Sequence, residues 1–372
     1  MPKTERGGLY LVTGFPRFMV RNIVDEILRQ DESGVIGLLV QEKHRREAIS
    51  FIKKLDAVRH VRVLTGDVAN MHLGLSSEEY KVLSKNVTTI FHAASIAYPG
   101  VPPAQAMRVN IEGTQNMIEF ALDCPRLRRF NHFSSAFVSG DRTGVVTEAE
   151  LDCSQHFNGH LYKSKFLAEL EVRRAMGRLP VSVFRPSMIV GHSQTGETDR
   201  LDGFYLLVKM VIDPSFNVPL PVPMNGQAPL NAVPVDFVAR AAVRISSMDG
   251  MEGRTFHLVD PVPLNVGQVL DKLAERAGRP RLMTVPVAPW LISTMARINW
   301  ISRRSPAYVN AMEILGRYTI YDSRNTASAL EGSGVFCPSF SSCVDRMVDF
   351  VRTRVSREVE ARREAELNDP LN

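Results

Sequence analysis

The sequence predicts an α/β fold with a parallel sheet covered by helices on both faces. Two observations lead there: short apolar runs alternate with amphipathic stretches through the first half of the 372 residues, and those runs are continuously apolar where an exposed strand would alternate. In order, Leu9 to Thr13 (LYLVT) reads as a buried strand and Val20 to Arg29 has helical spacing. Val35 to Val40 (VIGLLV) is a second strand, Arg45 to Leu55 a helix, and Val61 to Thr65 (VRVLT) a third strand. Thr88 to His92 is a fourth strand, followed by a helix from Ala104 to Ala121. Phe130 to Phe133 begins a fifth strand, about Leu161 to Met176 is helical, and Val181 to Arg185 is a sixth strand. Such sheets bind ligands at the carboxyl ends of their strands, near the point where strand order reverses.

The pattern changes after about residue 190. Proline becomes dense from Pro214 to Pro234, which suits the long connections of a substrate lobe. A helix follows at Val266 to Ala277. The stretch Val285 to Ile301 is apolar enough to cover a pocket or touch a membrane, and Val344 to Glu366 reads as a charged amphipathic helix. The expected organisation is a Rossmann-type doubly wound domain over 1–260, with substrate-lobe insertions from about 192 to 235. A small C-terminal α/β substrate lobe over 261–343 and a charged helix over 344–372 complete it.

Composition narrows the function. With 44% hydrophobic and 23% charged residues, no long disordered tract is implied. The cysteines, at 124, 153, 337 and 343, have no CxxC spacing and no accompanying His cluster, so they read as reduced thiols of a cytoplasmic protein without a metal. The segment Met1 to Gly8 lacks the pattern of a secretory signal, and no apolar run reaches the ~18 residues of a membrane span. Peripheral membrane contact stays open. The net charge of +5 is scattered, with no basic arm, which argues against nucleic acid. It suits the phosphates of a dinucleotide and of a coenzyme A or carrier-protein arm.

Thr13-Gly14-Phe15-Pro16-Arg17-Phe18-Met19-Val20 occupies the place of a phosphate-binding turn between the first strand and the first helix. Such a turn uses three glycines. Only Gly14 is present; Arg17 and Val20 stand where the second and third belong. One reading is an ordinary strand–loop–helix. The other is a helix whose N-terminal amides still face a phosphate, with Arg17 adding a charged contact and Thr13, Gly14, Phe15 and Phe18 lining the turn. At the end of the second strand, Gln41-Glu42-Lys43-His44-Arg45-Arg46 sets one acid among basic neighbours. Lys43 and Arg45 suit a 2′-phosphate, which favours NADP(H) over NAD; a solvated helix start is the plainer alternative.

Several further segments together resemble the extended short-chain dehydrogenase/reductases. They are Gly66-Asp67-Val68, Phe91-His92-Ala93-Ala94-Ser95, the N-x-x-G-T-x-N run from Asn110 to Asn116, Phe133 to Gly140, and Phe184-Arg185-Pro186-Ser187 through Gly191. Two more, Gly191 to Gly196 and Asn231 to Ala239, narrow the likeness to the branch of thioester reductases and fatty acyl reductases related to male-sterility proteins. In the first of these His192 replaces an acid. The matches run from about residue 9 to 260. The resemblance implies a cofactor site in which Asp67 and Val68 face the adenine and His92, Ala93, Ala94 and Asn110 lie beside the dinucleotide. Arg185, Pro186 and Ser187 would lie over the nicotinamide.

The resemblance also implies hydride transfer to a carbonyl, with Ser135 orienting its oxygen and a Tyr four residues before a Lys donating the proton. Ser164-Lys165-x-x-Ala168-Glu169 fixes that register, so Lys165 is the lysine, holding the nicotinamide ribose, and the Tyr slot holds Leu161. Tyr162 is three residues from Lys165, a neighbour on the helix but turned by about 100°. Three readings follow. Tyr162 acts after a local distortion helped by Gly159; another acid such as His160 or a water acts; or the fold binds a ligand and catalyses nothing. The expected function is NADPH-dependent reduction of an acyl thioester or related lipid-like carbonyl, delivered on coenzyme A or a carrier protein, by a chain that can form a homodimer. The alternatives are a ketone or hydroxyl oxidoreductase acting on a sterol-like or sugar-nucleotide substrate, and a silent NADP(H)-binding protein.

Overall fold

The computed structural model of the chain describes residues 8–96, 98, 100–201, 203–213, 220–279, 284–287 and 316–367. In chain order the elements are β1 (Leu9–Thr13), α1 (Phe18–Gln30), β2 (Val35–Val40), α2 (Arg45–Lys54), β3 (Val61–Thr65), α3 (Ser77–Asn86) and β4 (Val87–His92). Then come α4 (Pro103–Met107), α5 (Gly113–Leu122), β5 (Arg129–Phe133), β6 (Gly144–Val146), α6 (His160–Ala175), β7 (Val181–Pro186), β8 (Met188–Val190) and α7 (Phe204–Ile212). The rest are β9 (Leu220–Pro223), β10 (Ala232–Pro234), α8 (Val235–Ser246), β11 (Arg254–Leu258), α9 (Val266–Ala277), β12 (Thr284–Val287), β13 (Thr319–Tyr321), α10 (Arg324–Leu330) and α11 (Phe340–Leu367).

Seven strands form one sheet in the order β11-β7-β5-β4-β1-β2-β3, and every neighbouring pair is parallel. This is the doubly wound Rossmann arrangement, with strand order reversing between β1 and β4. Every residue of β5 and β7 is buried, as a sheet covered on both faces demands. One core draws Leu83 from α3, Met117 and Phe120 from α5 and Val172 from α6 onto Leu11, Ile90, Phe130 and Val183 of the sheet. Helices α1 and α8 pack against each other.

Several elements differ from expectation. The helix expected at 104–121 is interrupted: Arg108–Glu112 is a π-turn between α4 and α5, and it carries Asn110 inward. The seventh strand, β11, and the helix before it, α8, arise in a segment whose sequence pattern predicts neither. Among the described residues no helix is long and apolar enough to cross a membrane. The stretch Val285 to Ile301, expected to cover a pocket, lies outside the described residues beyond 287.

The chain divides into two compact units. The first comprises Met1–Ile189, Val235–Pro261 and Thr319–Cys337, so that β13 returns to pair with β6. The second comprises Val190–Pro234, Val262–Tyr318 and Pro338–Asn372. Within it Phe204 of α7 meets Phe340 of α11 edge-on at 5.7 Å, and α9 opens with an Asn265–Gln268 capping box. The Gly191 to Gly196 segment belongs here: Gly191 N donates to the Tyr205 hydroxyl at 2.6 Å. Gly196 approaches α11 so closely that a Cβ would lie 2.1 Å from Arg346 O.

Candidate active site

At the carboxyl end of β1 the chain turns so tightly that only glycine fits. Gly14 has φ +100°, and a Cβ there would lie 2.7 Å from Ala93 C and 2.8 Å from Ala94 N. This turn and the one after β4 therefore touch backbone to backbone at the strand-order reversal. Helix α1 begins just beyond with no acid in its first turn, which keeps its positive end open to an anion. Arg17 lies at its mouth and donates to Ser95 Oγ at 2.8 Å, spanning from the β1 turn to the β4 turn. Val20, the other replaced glycine, is fully buried within α1. Phe15 is buried against Phe51 at 5.5 Å, with Arg21 over its ring.

Behind these turns runs a hydrogen-bond chain whose direction is fixed. Thr114 Oγ1 gives its hydrogen to Asn110 O at 2.6 Å, so it accepts from His92 Nε2 at 3.1 Å. His92 Nδ1 is then the acceptor, and Thr13 Oγ1 donates to it at 3.0 Å while receiving Ala94 N at 3.2 Å. Asn110 clasps Ile96 through both N and O and donates to Ser164 Oγ at 2.8 Å; Ser164 passes its own hydrogen to Leu161 O. Burial, then His132 and Lys165, drives His92 well below its ordinary pKa, in keeping with the neutral tautomer that the chain requires. Thr13, His92 and Asn110 thus shape the backbone around the turns and have no side-chain hydrogen left for a ligand. Ala93 and Ala94 supply the facing wall.

The two serines after β5 separate cleanly. Ser134 Oγ donates to Glu169 Oε2 at 2.5 Å and is structural. Among the described residues Ser135 Oγ accepts from Phe137 N alone, at 3.3 Å, which leaves its O–H to donate. Lys165, buried on α6, donates from Nζ to Phe133 O at 3.0 Å, two residues before Ser135. Burial and, next, the Arg17 charge pull this lysine down to about 7, against the opposing pull of Glu169. Leu161 lies on the same inward face as Lys165 and is buried. Tyr162 is half-buried on the adjacent stripe, its ring 5.2 Å from that of Phe137. The helix is continuous from His160, so the first turn holds no register shift. The end of β5 therefore presents Ser135 and Lys165, with Leu161 in the Tyr slot and Tyr162 on the adjacent stripe against Phe137.

Other expected residues sit elsewhere. Arg185 is 1% exposed and its guanidinium is committed inward, 2.8 Å from Glu169 Oε1 and 3.2 Å from His257 Nε2, so only its backbone reaches the end of β7. Pro186 closes that strand, and the buried Ser187 hydroxyl just after it has no hydrogen-bond partner among the described residues, a polar atom left for a ligand. Asp67 accepts Gln41 Nε2 at 2.7 Å, which ties the ends of β2 and β3 together. Val68 is buried against Gly113. Lys43 and Arg45 are exposed beyond β2, as is Glu42 between Gln41 and Lys43, while Glu47 lies against Arg21 and His44. A glycine-tight turn, an acid-free helix start and an unpartnered Ser187 hydroxyl together fit a dinucleotide. The sequence did not mark Glu169, Ser95 or Arg21 as participants; Glu169 was visible only as part of a motif. Among the described residues no His, Cys, Asp and Glu cluster could hold a metal ion.

The family profile described as male sterility protein matches residues 12–242. The chain is 23% identical over 308 residues to the aldehyde reductase lnbA of Aspergillus flavus, covering 76% of this chain and 30% of that protein. It is 25% identical over 237 residues to the fatty acyl-CoA reductase wat of Drosophila melanogaster, covering 53% of this chain and 46% of the relative. The chain thus spans less than half the length of either. Among solved structures it is similar to the terminal R domain of the myxalamid PKS-NRPS pathway, with TM-score 0.79, 25% identity, and coverage of 95% of this chain and 92% of that one. The reductase domain of a nonribosomal peptide synthetase from Mycobacterium tuberculosis superposes with TM-score 0.70 at 22% identity, covering 94% and 93%.

Proposed function

We propose that this chain, which belongs to the male sterility protein family, is an NADPH-dependent reductase of acyl thioesters presented on coenzyme A or a separate carrier protein. The observation that carries the reading is that one strand end, after β5, carries both the Ser135 hydroxyl, left to donate, and the buried Lys165 Nζ on Phe133 O, two residues earlier. The α1 N-terminus and Arg17 hold the diphosphate, and Lys43 and Arg45 hold the 2′-phosphate. Bound there, the reduced nicotinamide supplies the hydride. Ser135 donates to the substrate carbonyl oxygen, concentrating positive potential where negative charge develops. Leu161 and Phe137 line the reacting end with hydrocarbon.

The kinship with a fatty acyl-CoA reductase supports a thioester substrate. Calorimetry with NADPH and NADH tests the cofactor: NADPH should bind at least tenfold tighter, and Lys43→Ala with Arg45→Ala should remove that preference. Acyl-CoA esters of graded chain length, compared with simple ketones and sugar nucleotides, test the substrate through loss of NADPH absorbance. A protein that binds neither nicotinamide dinucleotide refutes the proposal.

A further inference from the structure

Resting on that reductase reading, we infer that Lys165 itself hands the proton to the substrate oxygen, with no tyrosine intervening. The inward position four residues before it is Leu161, a buried hydrocarbon with no proton to give. Tyr162 is turned away by one residue of helix, about 100°, and its ring is occupied with Phe137. Ser164, on the inward face, spends its hydrogen on Leu161 O. Ser135 serves the carbonyl oxygen as a hydrogen-bond donor, and Lys165 Nζ is the ammonium at the same strand end: a three-hydrogen donor with one hydrogen on Phe133 O.

The groups around Lys165 favour release. Arg17 at the α1 mouth repels its charge. His132 of β5 and His92 of β4 are buried and neutral, His132 being pushed down to about 3 by burial and by Lys165. Glu169 is the one nearby anion among the described residues, and its charge is already divided between Arg185 and Arg173. An ammonium so placed gives its proton up near neutral pH, whereas a phenol ordinarily holds it to about pH 10. As hydride reaches the carbonyl carbon, the C=O π pair moves to oxygen. An Nζ–H bond then breaks while the O–H bond forms, and the neutral amine regains its proton from water. The hydride donor is oxidised and the carbonyl carbon is reduced to a hemithioacetal, whose C–S bond then breaks as its hydroxyl proton passes to the departing thiol, leaving the aldehyde. Arg17 acts as a tuning charge on this step, a role that a glycine at its position lacks.

Two measurements test this together. The first needs no cofactor or substrate: urea midpoints of the wild-type protein and Lys165→Met are compared from pH 6 to pH 10. A lysine whose folded pKa lies near 7 burdens the fold below that value and ceases to do so as pH rises, so the wild type should gain on the variant across this range. A constant difference overturns the proposal. The second is the pH profile of kcat with saturating NADPH and acyl-CoA. Lys165→Met and Lys165→Arg should each lose at least 100-fold, Tyr162→Phe and His160→Ala less than fivefold, and Arg17→Gln should move the alkaline limb upward. Loss in Tyr162→Phe or His160→Ala equal to that in Lys165→Met overturns it as well. Titration near 7 with no turnover of any carbonyl by the wild type sinks the reductase reading and the proton-donor role with it. A flat titration in an active enzyme sinks the role alone.

Discussion

Replacing Glu169 by Gln removes one charge from the most enclosed ionic cluster of the first unit. The carboxylate is 0% exposed. Its Oε1 receives Arg185 at 2.8 Å and Arg173 at 3.0 Å, and its Oε2 receives Arg185 Nε at 3.0 Å and Ser134 at 2.5 Å. Burial raises the carboxyl's pKa, but Arg185 and Arg173 outweigh it and hold the group at about 2, from an ordinary 4.5. At 1.36 kcal/mol per unit, that displacement corresponds to about 3 kcal/mol. Breaking a buried pair by removing one partner typically costs about 3–5 kcal/mol, so two routes converge. The folded pKa is depressed, so the stabilisation is complete above about pH 4.5 and fades as pH falls toward 2. Urea unfolding of wild type and Glu169→Gln at pH 7 should differ by about 3 kcal/mol, and the gap should narrow at pH 3. A gap under 1 kcal/mol at pH 7, or one that widens with acid, would refute the view that this cluster anchors α6 to β7.

Gly14→Ala places a methyl into the Ala93–Ala94 backbone at a φ that side chains resist; dinucleotide affinity by calorimetry should fall at least tenfold while far-ultraviolet circular dichroism is unchanged. Asn110→Ala leaves the Ile96 amide and carbonyl and the Ser164 hydroxyl without their partner. It should cost about 2–4 kcal/mol in urea unfolding, with amide exchange faster in the turn after β4.

Much of the fold was legible because the strands are continuously apolar and the helices amphipathic. β1, β2 and β3 fall at the positions their residues indicate, since a fully covered strand has no choice of face to misjudge. The helix α3 and strand β11 were not legible: one is carried by a capping box before a polar run, and RTFHL resembles many loops until β7 pairs with it. The π-turn at Asn110 has no local signature, because it exists to deliver one amide side chain to Ile96 and Ser164.

The sequence by itself determined the order of the parts: a glycine turn after the first strand, Ser135 after the fifth, and Lys165 with Leu161 one helical turn before it. Tertiary structure decided which polar groups remain for chemistry. Ser134 and Ser135 are indistinguishable as letters, and only the approach of Glu169 across 35 residues consumes one hydroxyl and leaves the other. Arg185 reads as a site residue until His257 and Glu169 close around it, and Lys165 reads as an ordinary cation until burial and Arg17 lower its hold on the proton. Proton affinity depends on solvent exclusion and on charges brought near by folding, neither of which is a property of any one segment of chain.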